Sequence, residues 1–198
     1  MFDIHEILGV IAGILALGSF LTYYYAILNG KASPSRVTWF ILTLVGIMIA
    51  ASYYSIGARD TIWVPIGYVI GPFITFILSI KYGEGGYTLL DQSCIVLVLL
   101  SLVVWYISGS AILTLIISIF IDFVGIIPTV IKSYVRPESE YLPSWILTFV
   151  VSIINILAVS EWEFSIYIYP IYMIVFNGLI LFFLLLPILS NRIKAFFV

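Results

Sequence analysis

Seven apolar stretches follow one another along the 198 residues, at 7–28, 37–56, 62–80, 89–107, 111–131, 142–159 and 164–189. A helix needs about 20 such residues to cross about 30 Å of hydrocarbon, so each stretch is a candidate membrane span. The breaks between them carry turn chemistry: Asn29-Gly30-Lys31, Gly57-Ala58-Arg59-Asp60, Gly83-Glu84-Gly85-Gly86, Ser108-Gly109-Ser110, Arg136-Pro137-Glu138 and Glu161-Trp162-Glu163. Backbone groups in lipid must be satisfied within the segment, which predicts helices. A transmembrane barrel would need short alternating segments, and the chain has none.

The pattern occurs twice. Gly18 and Thr22 return as Gly125 and Thr129, 107 residues on. Trp39-Phe-Ile-Leu-Thr43 returns as Trp145-Ile-Leu-Thr148, and Pro65-Ile66 as Pro170-Ile171, with Ile41 and Ile146, like Pro65 and Pro170, now 105 residues apart. Three apolar segments carried twice by one small chain are a sequence signature of transporter folds. The repeats predict units at 1–82 and 111–198, with 83–110 as a linker carrying the fourth helix.

Composition agrees with a bilayer setting. Hydrophobic residues make up 63% of the chain and charged ones 9%, against about 25% charged in soluble domains. There is no basic patch for nucleic acid. The lone Cys94 and lone His5 exclude a disulfide framework and a Cys/His metal cluster. No cofactor is implied. The first apolar run has no small-residue cleavage site after it, so it is expected to be a permanent span rather than a signal peptide.

Charge sets an expected orientation. With the N-terminus outside, Lys31, Arg36, Lys81, Lys132, Arg136, Arg192 and Lys194 fall inside and only Arg59 falls outside. The positive-inside rule then predicts N-terminus out and C-terminus in. The outer segments hold Asp3, Glu6, Asp60, Glu161 and Glu163. Three helices reverse direction, so the fourth must act as an inverter if the two triplets are to run parallel. The expected fold is an all-α integral membrane protein, seven helices arranged 3+1+3, multi-pass in a prokaryotic plasma membrane and able to associate with copies of itself.

Helical neighbours recur at three and four residues, and polar residues follow that spacing. Thr114, Ser118, Asp122, Gly125 and Thr129 share one face of the fifth helix; Ser144, Thr148, Ser152 and Asn155 share one face of the sixth. Small and hydroxylated residues also simply let helices approach and bond. Gly18, Thr22, Tyr25 and Asn29 form a shorter stripe on the first helix, the repeat equivalent of the fifth, and stripes on helices related by the repeat favour a shared polar pathway.

Asp122 is the ionisable residue deepest in any span. A charged Asp at that depth costs about 2.5–3.5 kcal/mol on insertion scales. A wet cavity, a proton, or a bond to Ser118 one turn away would relieve that cost. It is the candidate for proton coupling and substrate contact, and its repeat-one equivalent is Leu15. Asn177 and Asn155 offer amides that donate and accept. Tyr68 and Tyr172 sit near the same depth, and these five are the candidate substrate-binding residues. Trp39 and Trp145, at the inner ends of the second and sixth helices, are read as interface anchors. Pro65, Pro72, Pro128 and Pro170 lie within spans, where proline removes a backbone bond and kinks the helix. Pro65, Pro128 and Pro170 are the candidate hinges. No metalloprotease, nucleophile-elbow or phosphate-loop motif occurs, so no enzymatic activity is expected.

The 3+1+3 pattern resembles the SWEET, SemiSWEET and Pro-Gln-loop superfamily, whose members are built of parallel repeats. Pro128 on the fifth helix, with Pro34 and Pro143 more loosely, is similar to that family's prolines near inner helix ends. Asn177 matches the asparagine its sugar transporters carry on the third helix of a triplet; the repeat-one equivalent here is Pro72, and no Pro-Gln pair occurs. The resemblance implies alternating-access transport of a small polar solute such as a sugar or amino acid, by uniport or coupled to protons. A receptor or sorting protein on the same fold, or a structural membrane subunit, are the alternatives.

Overall fold

The computed structural model describes residues 3–83 and 89–196. Among them all regular structure is helical: α1 (Ile4–Leu28), α2 (Arg36–Ile56), α3 (Trp63–Tyr82), α4 (Leu89–Ser108), α5 (Ala111–Val135), α6 (Leu142–Leu157) and α7 (Phe164–Phe196), with one 3-10 turn at Pro137–Ser139. Five of these, α1, α2, α3, α5 and α7, are long and apolar enough to cross a membrane; α6 is apolar but shorter. The expected Gly83–Gly86 turn lies outside the described residues from Glu84 on. So do the side chains of Cys94, Ser101, Trp105, Pro128, Arg192 and Lys194.

Local sequence sets the helix ends. The Ser35 hydroxyl accepts from Thr38 N and Ser110 from Leu113 N, capping α2 and α5. Gly57 closes α2 in the left-handed conformation, φ 76°, which glycine reaches without a Cβ penalty. α5 and α7 outrun their apolar stretches, to Val135 and Phe196, because a helix continues through polar residues until something breaks it. α6 ends at Leu157, two residues short of the apolar run. There the Ala158 and Val159 N–H groups fold back onto the Ile154 and Ile156 carbonyls.

Large apolar residues are exposed at helical spacing. On α1, Ile7, Ile11, Ile14, Leu17, Leu21, Tyr25 and Leu28 form one such stripe. A surface this apolar suits lipid, not water.

Long-range contacts identify the two ends of the bundle. At one end His5 Nδ1 meets the Leu157 carbonyl at 3.2 Å, the Ser160 hydroxyl donates to Asp60, and the Tyr53 hydroxyl donates to the Ile166 carbonyl at 2.6 Å. At the other, Arg36 donates to the Ser79 and Gly83 carbonyls, and Lys132 reaches both the Ser33 carbonyl (3.5 Å) and Glu140 (3.3 Å). The first is the acidic end and the second the basic end. α3 packs against both α1 and α2, and α7 against both α5 and α6. α1 also meets α6 and α2 meets α5, while α4 rests on α5 and, more lightly, α2.

Two prolines leave helix carbonyls without their helical donor, and α2 approaches both. Pro170 lies inside α7, so the Ile166 carbonyl loses its helical partner; the buried Tyr53 hydroxyl replaces it. Pro72 lies inside α3 and frees the Tyr68 carbonyl. Gly46 of α2 lies so close to that carbonyl that a Cβ would overlap it. Pro65 differs from expectation. It is the third residue of α3, where the N–H has no intrahelical acceptor, so it breaks no bond.

Candidate functional site

A cavity of about 80 Å³ lies among six helices, bounded by residues of α1, α2, α3, α5, α6 and α7. A single water needs some 10–15 Å³ by this kind of measure, so the space suits several waters or one small solute. On α2 its lining runs from Trp39 to Ile49, on α6 from Ser144 to Thr148, and on α7 from Tyr169 to Asn177. It therefore occupies the middle and the basic-end half of the bundle.

Of the five candidate binding residues, four line this space: Asp122, Asn177, Tyr68 and Tyr172. Asp122 is positioned by α5 and Tyr172 by α7, and the Tyr172 hydroxyl donates to Asp122 Oδ2 at 2.5 Å. No hydrogen bond from a described residue reaches the other carboxylate oxygen. That oxygen is free to take a proton or a cation. Asn177 Nδ2 donates to the Ser152 hydroxyl at 2.8 Å, tying α7 to α6.

Ser118 is not the partner of Asp122. Its hydroxyl turns back to the Thr114 carbonyl at 2.7 Å, the local bond that hydroxylated residues make in helices. Thr114, Thr148 and Ser152 do the same with the carbonyls four residues before them. Much of both polar stripes is thus satisfied within its own helix. Ser144 is the exception, meeting the Thr22 hydroxyl across α6 and α1 at 2.7 Å.

Asn155 stands apart from the other four. It is fully buried toward the acidic end of α6, is not part of the cavity wall, and both its amide atoms lack a partner. Trp39 and Trp145, read from sequence as interface anchors, turn inward and line the cavity. Trp39 packs on Phe20 and Tyr23, with centroids 6.2 and 5.3 Å away. Trp145 Nε1 donates to Glu140 Oε2 at 3.0 Å. Through Glu140 and Lys132, this wall residue connects to the ion pair at the basic end. Sequence position could not distinguish the two readings, because a helix-end indole faces lipid or interior according to how its helix is rotated.

A second cleft of about 270 Å³ opens at the acidic end, lined by Gly57, Ala58, Arg59, Asp60, Thr61, Ser160, Glu161 and Ile166. Ile166 belongs to this cleft and Tyr169 to the cavity. Three residues of helix, about 4.5 Å of rise, separate them on α7. Tyr53 fills that partition, bonded to Ile166 and edge-on to Tyr169 with centroids 6.0 Å apart.

No protein-family model, curated protein or solved structure matches this chain.

Proposed function

We propose that this chain is a seven-helix transporter of a small polar solute. Two parallel triplets, α1–α3 and α5–α7, would rock about a shared site, with α4 as the inverter between them. The observation that carries the reading is the pair of cavities on opposite ends of the bundle, parted by one helical turn and one tyrosine. Such a thin partition suits a pathway that opens alternately. The packing order supports the triplet arrangement, since α3 and α7 each bind both other helices of their triplet, and α1–α6 and α2–α5 form the seam. The charge distribution supports the orientation, with the basic end inside the cell.

In this reading the conformation described is closed at the acidic, outer end. Tyr53, Asp60 and Ser160 hold that closure, and Pro170, Pro128 and Pro72 are positions where helices flex. The Lys132–Glu140 pair and Trp145 are the counterpart at the inner end. Asp122 couples the cycle to protons, because a carboxylate at bilayer depth is costly unless neutralised. The SWEET-like architecture remains part of this proposal.

Uptake into proteoliposomes tests it directly. A panel of labelled sugars, amino acids and amines is offered with and without an imposed proton gradient. Flux of at least one solute is expected, and Asp122→Asn should abolish its dependence on the gradient. Flux that ignores the gradient in the wild type would remove Asp122 from coupling. Saturable binding with no flux of any bound solute would replace the transporter with a receptor.

A further inference from the structure

We propose that the cavity selects a small organic ammonium, a single positive charge on an apolar or aromatic body, over sugars and zwitterions. The inference deepens the transporter reading and rests on it for the route in and out. Binding itself does not require flux.

The charge inventory comes first. Among the described residues of the cavity wall Asp122 is the only acid, and none is Lys, Arg or His. The titratable groups facing Asp122 are phenols, Tyr172 at 2.5 Å with Tyr169 on α7 and Tyr68 on α3. Arg36, the one charged residue of α2, is turned away to the Ser79 and Gly83 carbonyls. Asp91, at the start of α4, has a side chain outside the described residues. A free carboxylate oxygen without a resident cation therefore awaits a proton or a cationic ligand.

The rest of the wall selects which cation. Phe20, Trp39, Tyr68, Tyr169, Tyr172 and Phe176 all contribute to it. Their rings are in mutual contact, Tyr172 with Phe176 at 4.8 Å and Phe20 with Tyr68 at 5.3 Å between centroids. Aromatic faces attract ammonium ions held within about 6 Å of their centres, and more strongly when water is excluded. They offer nothing to an anion.

The polar groups argue against the other solute classes. A sugar would need several donors and acceptors, yet the Ser19 and Thr148 hydroxyls are given to their own helices, Ser144 pairs with Thr22, and Asn177 holds Ser152. A zwitterion would bring a carboxylate that finds no cation in the wall. An ammonium satisfies Asp122 and leaves those bonds intact.

Because proton and ammonium compete for one carboxylate, amine binding should weaken as pH falls and Asp122 becomes protonated. Exchange of one for the other would make transport an amine–proton antiport, balanced at one charge each way.

The test uses phenethylammonium chloride and its neutral analogue 2-phenylethanol on the purified full chain, read by the fluorescence of the wall residues Trp39 and Trp145. Phenethylammonium should bind at least about tenfold tighter than the alcohol, the scale of one hydrogen bond to a charged group. Asp122→Asn should remove that preference and the pH dependence. Equal binding of the two probes by the wild type would overturn the proposal without recourse to any variant. So would preferential binding of a neutral sugar or a zwitterion. Sugar flux in liposomes without amine binding would reject the ammonium site and leave the transporter. Amine binding without flux of any solute would do the reverse.

Discussion

At position 46 the first half of the chain has glycine, and 105 residues on the second half has valine. The same offset sets Gly67 against Tyr172 and Gly71 against Phe176; at the 107-residue offset of the first helices, Gly9 faces Ile116 and Gly13 faces Phe120. In α1–α3 these glycines bring backbones together. A Cβ on Gly9 would overlap the Asp60 carbonyl, one on Gly46 the Tyr68 carbonyl and one on Gly71 the Phe20 ring; one on Gly13 would come within 2.7 Å of Trp63 Cβ. In α5–α7 two of the bulky counterparts, Tyr172 and Phe176, form cavity wall instead. One copy spends its small residues on close helix contact, which small side chains permit in membranes. The other has bulkier residues at these positions and contributes a carboxylate, an amide and aromatic rings to the cavity wall. The difference suggests a division of labour, with α1–α3 as the more closely packed half and α5–α7 as the half that supplies the carboxylate and the amide of a wall to which both halves contribute.

The largest effect should come from giving the first copy the second copy's residue. Gly46→Val has no room beside the Tyr68 carbonyl, which sits on the backbone of α3 and cannot turn away like a side chain. Overpacking of this kind costs about 3 kcal/mol. Thermal unfolding in detergent should show a large drop, or the protein should fail to elute as a single species. A variant as stable as the wild type would mean that the close α2–α3 contact is not essential.

Next in size is Tyr172→Phe, which keeps the ring and removes the donor to Asp122 Oδ2. Proton-dependent flux should fall about tenfold, the scale of a lost bond to a charged group. Melting should change less than in Gly46→Val, because the shape of the ring is retained. Loss of stability with unaltered flux would move Tyr172 from the working half to the packing of the bundle.

Tyr53→Phe tests the partition. It leaves the Ile166 carbonyl, already deprived of a donor by Pro170, buried and unpaired. Such an orphan costs about 1–3 kcal/mol. Melting should fall by that amount, and a cysteine placed at Ala158 in a Cys94→Ser background should react faster with a membrane-impermeant thiol reagent. Faster labelling without a change in melting would show that the hydroxyl governs opening alone.

Helix existence was legible in the sequence because apolar runs bounded by Gly, Pro and Asn have one reading in a bilayer, and all seven runs became helices, within four residues of the expected ends except that α7 runs on to Phe196. Asp122, Asn177, Tyr68 and Tyr172 were legible as polar or amphipathic groups at one depth. Their pairing was not. Helical spacing offered Ser118 to Asp122, but a backbone carbonyl captured that hydroxyl, and the true partner lies 50 residues away on α7. Asn155 follows the same stripe as Thr148 yet falls beyond the end of the cavity, because a stripe defines a face and not how far along it the helices part. Pro72 and Gly46 held a readable signal. A proline frees the carbonyl four residues earlier, and a glycine is the residue that can approach it.

The smallest effect should come from Gly125→Ala, which completes the comparison from the second copy's side. Gly125 is matched in the repeat by Gly18, yet a Cβ built on it meets nothing within 4 Å, although the residue itself is buried. Replacing a helix-interior glycine with alanine gains up to about 1 kcal/mol when space is available. Melting should rise slightly and phenethylammonium binding should persist, in contrast with Gly46. A rise in melting accompanied by lost flux would sharpen the division further. The space beside Gly125 would then be one that a neighbouring helix must enter in the other conformation, and a methyl group that stabilises one state would block the passage to the next.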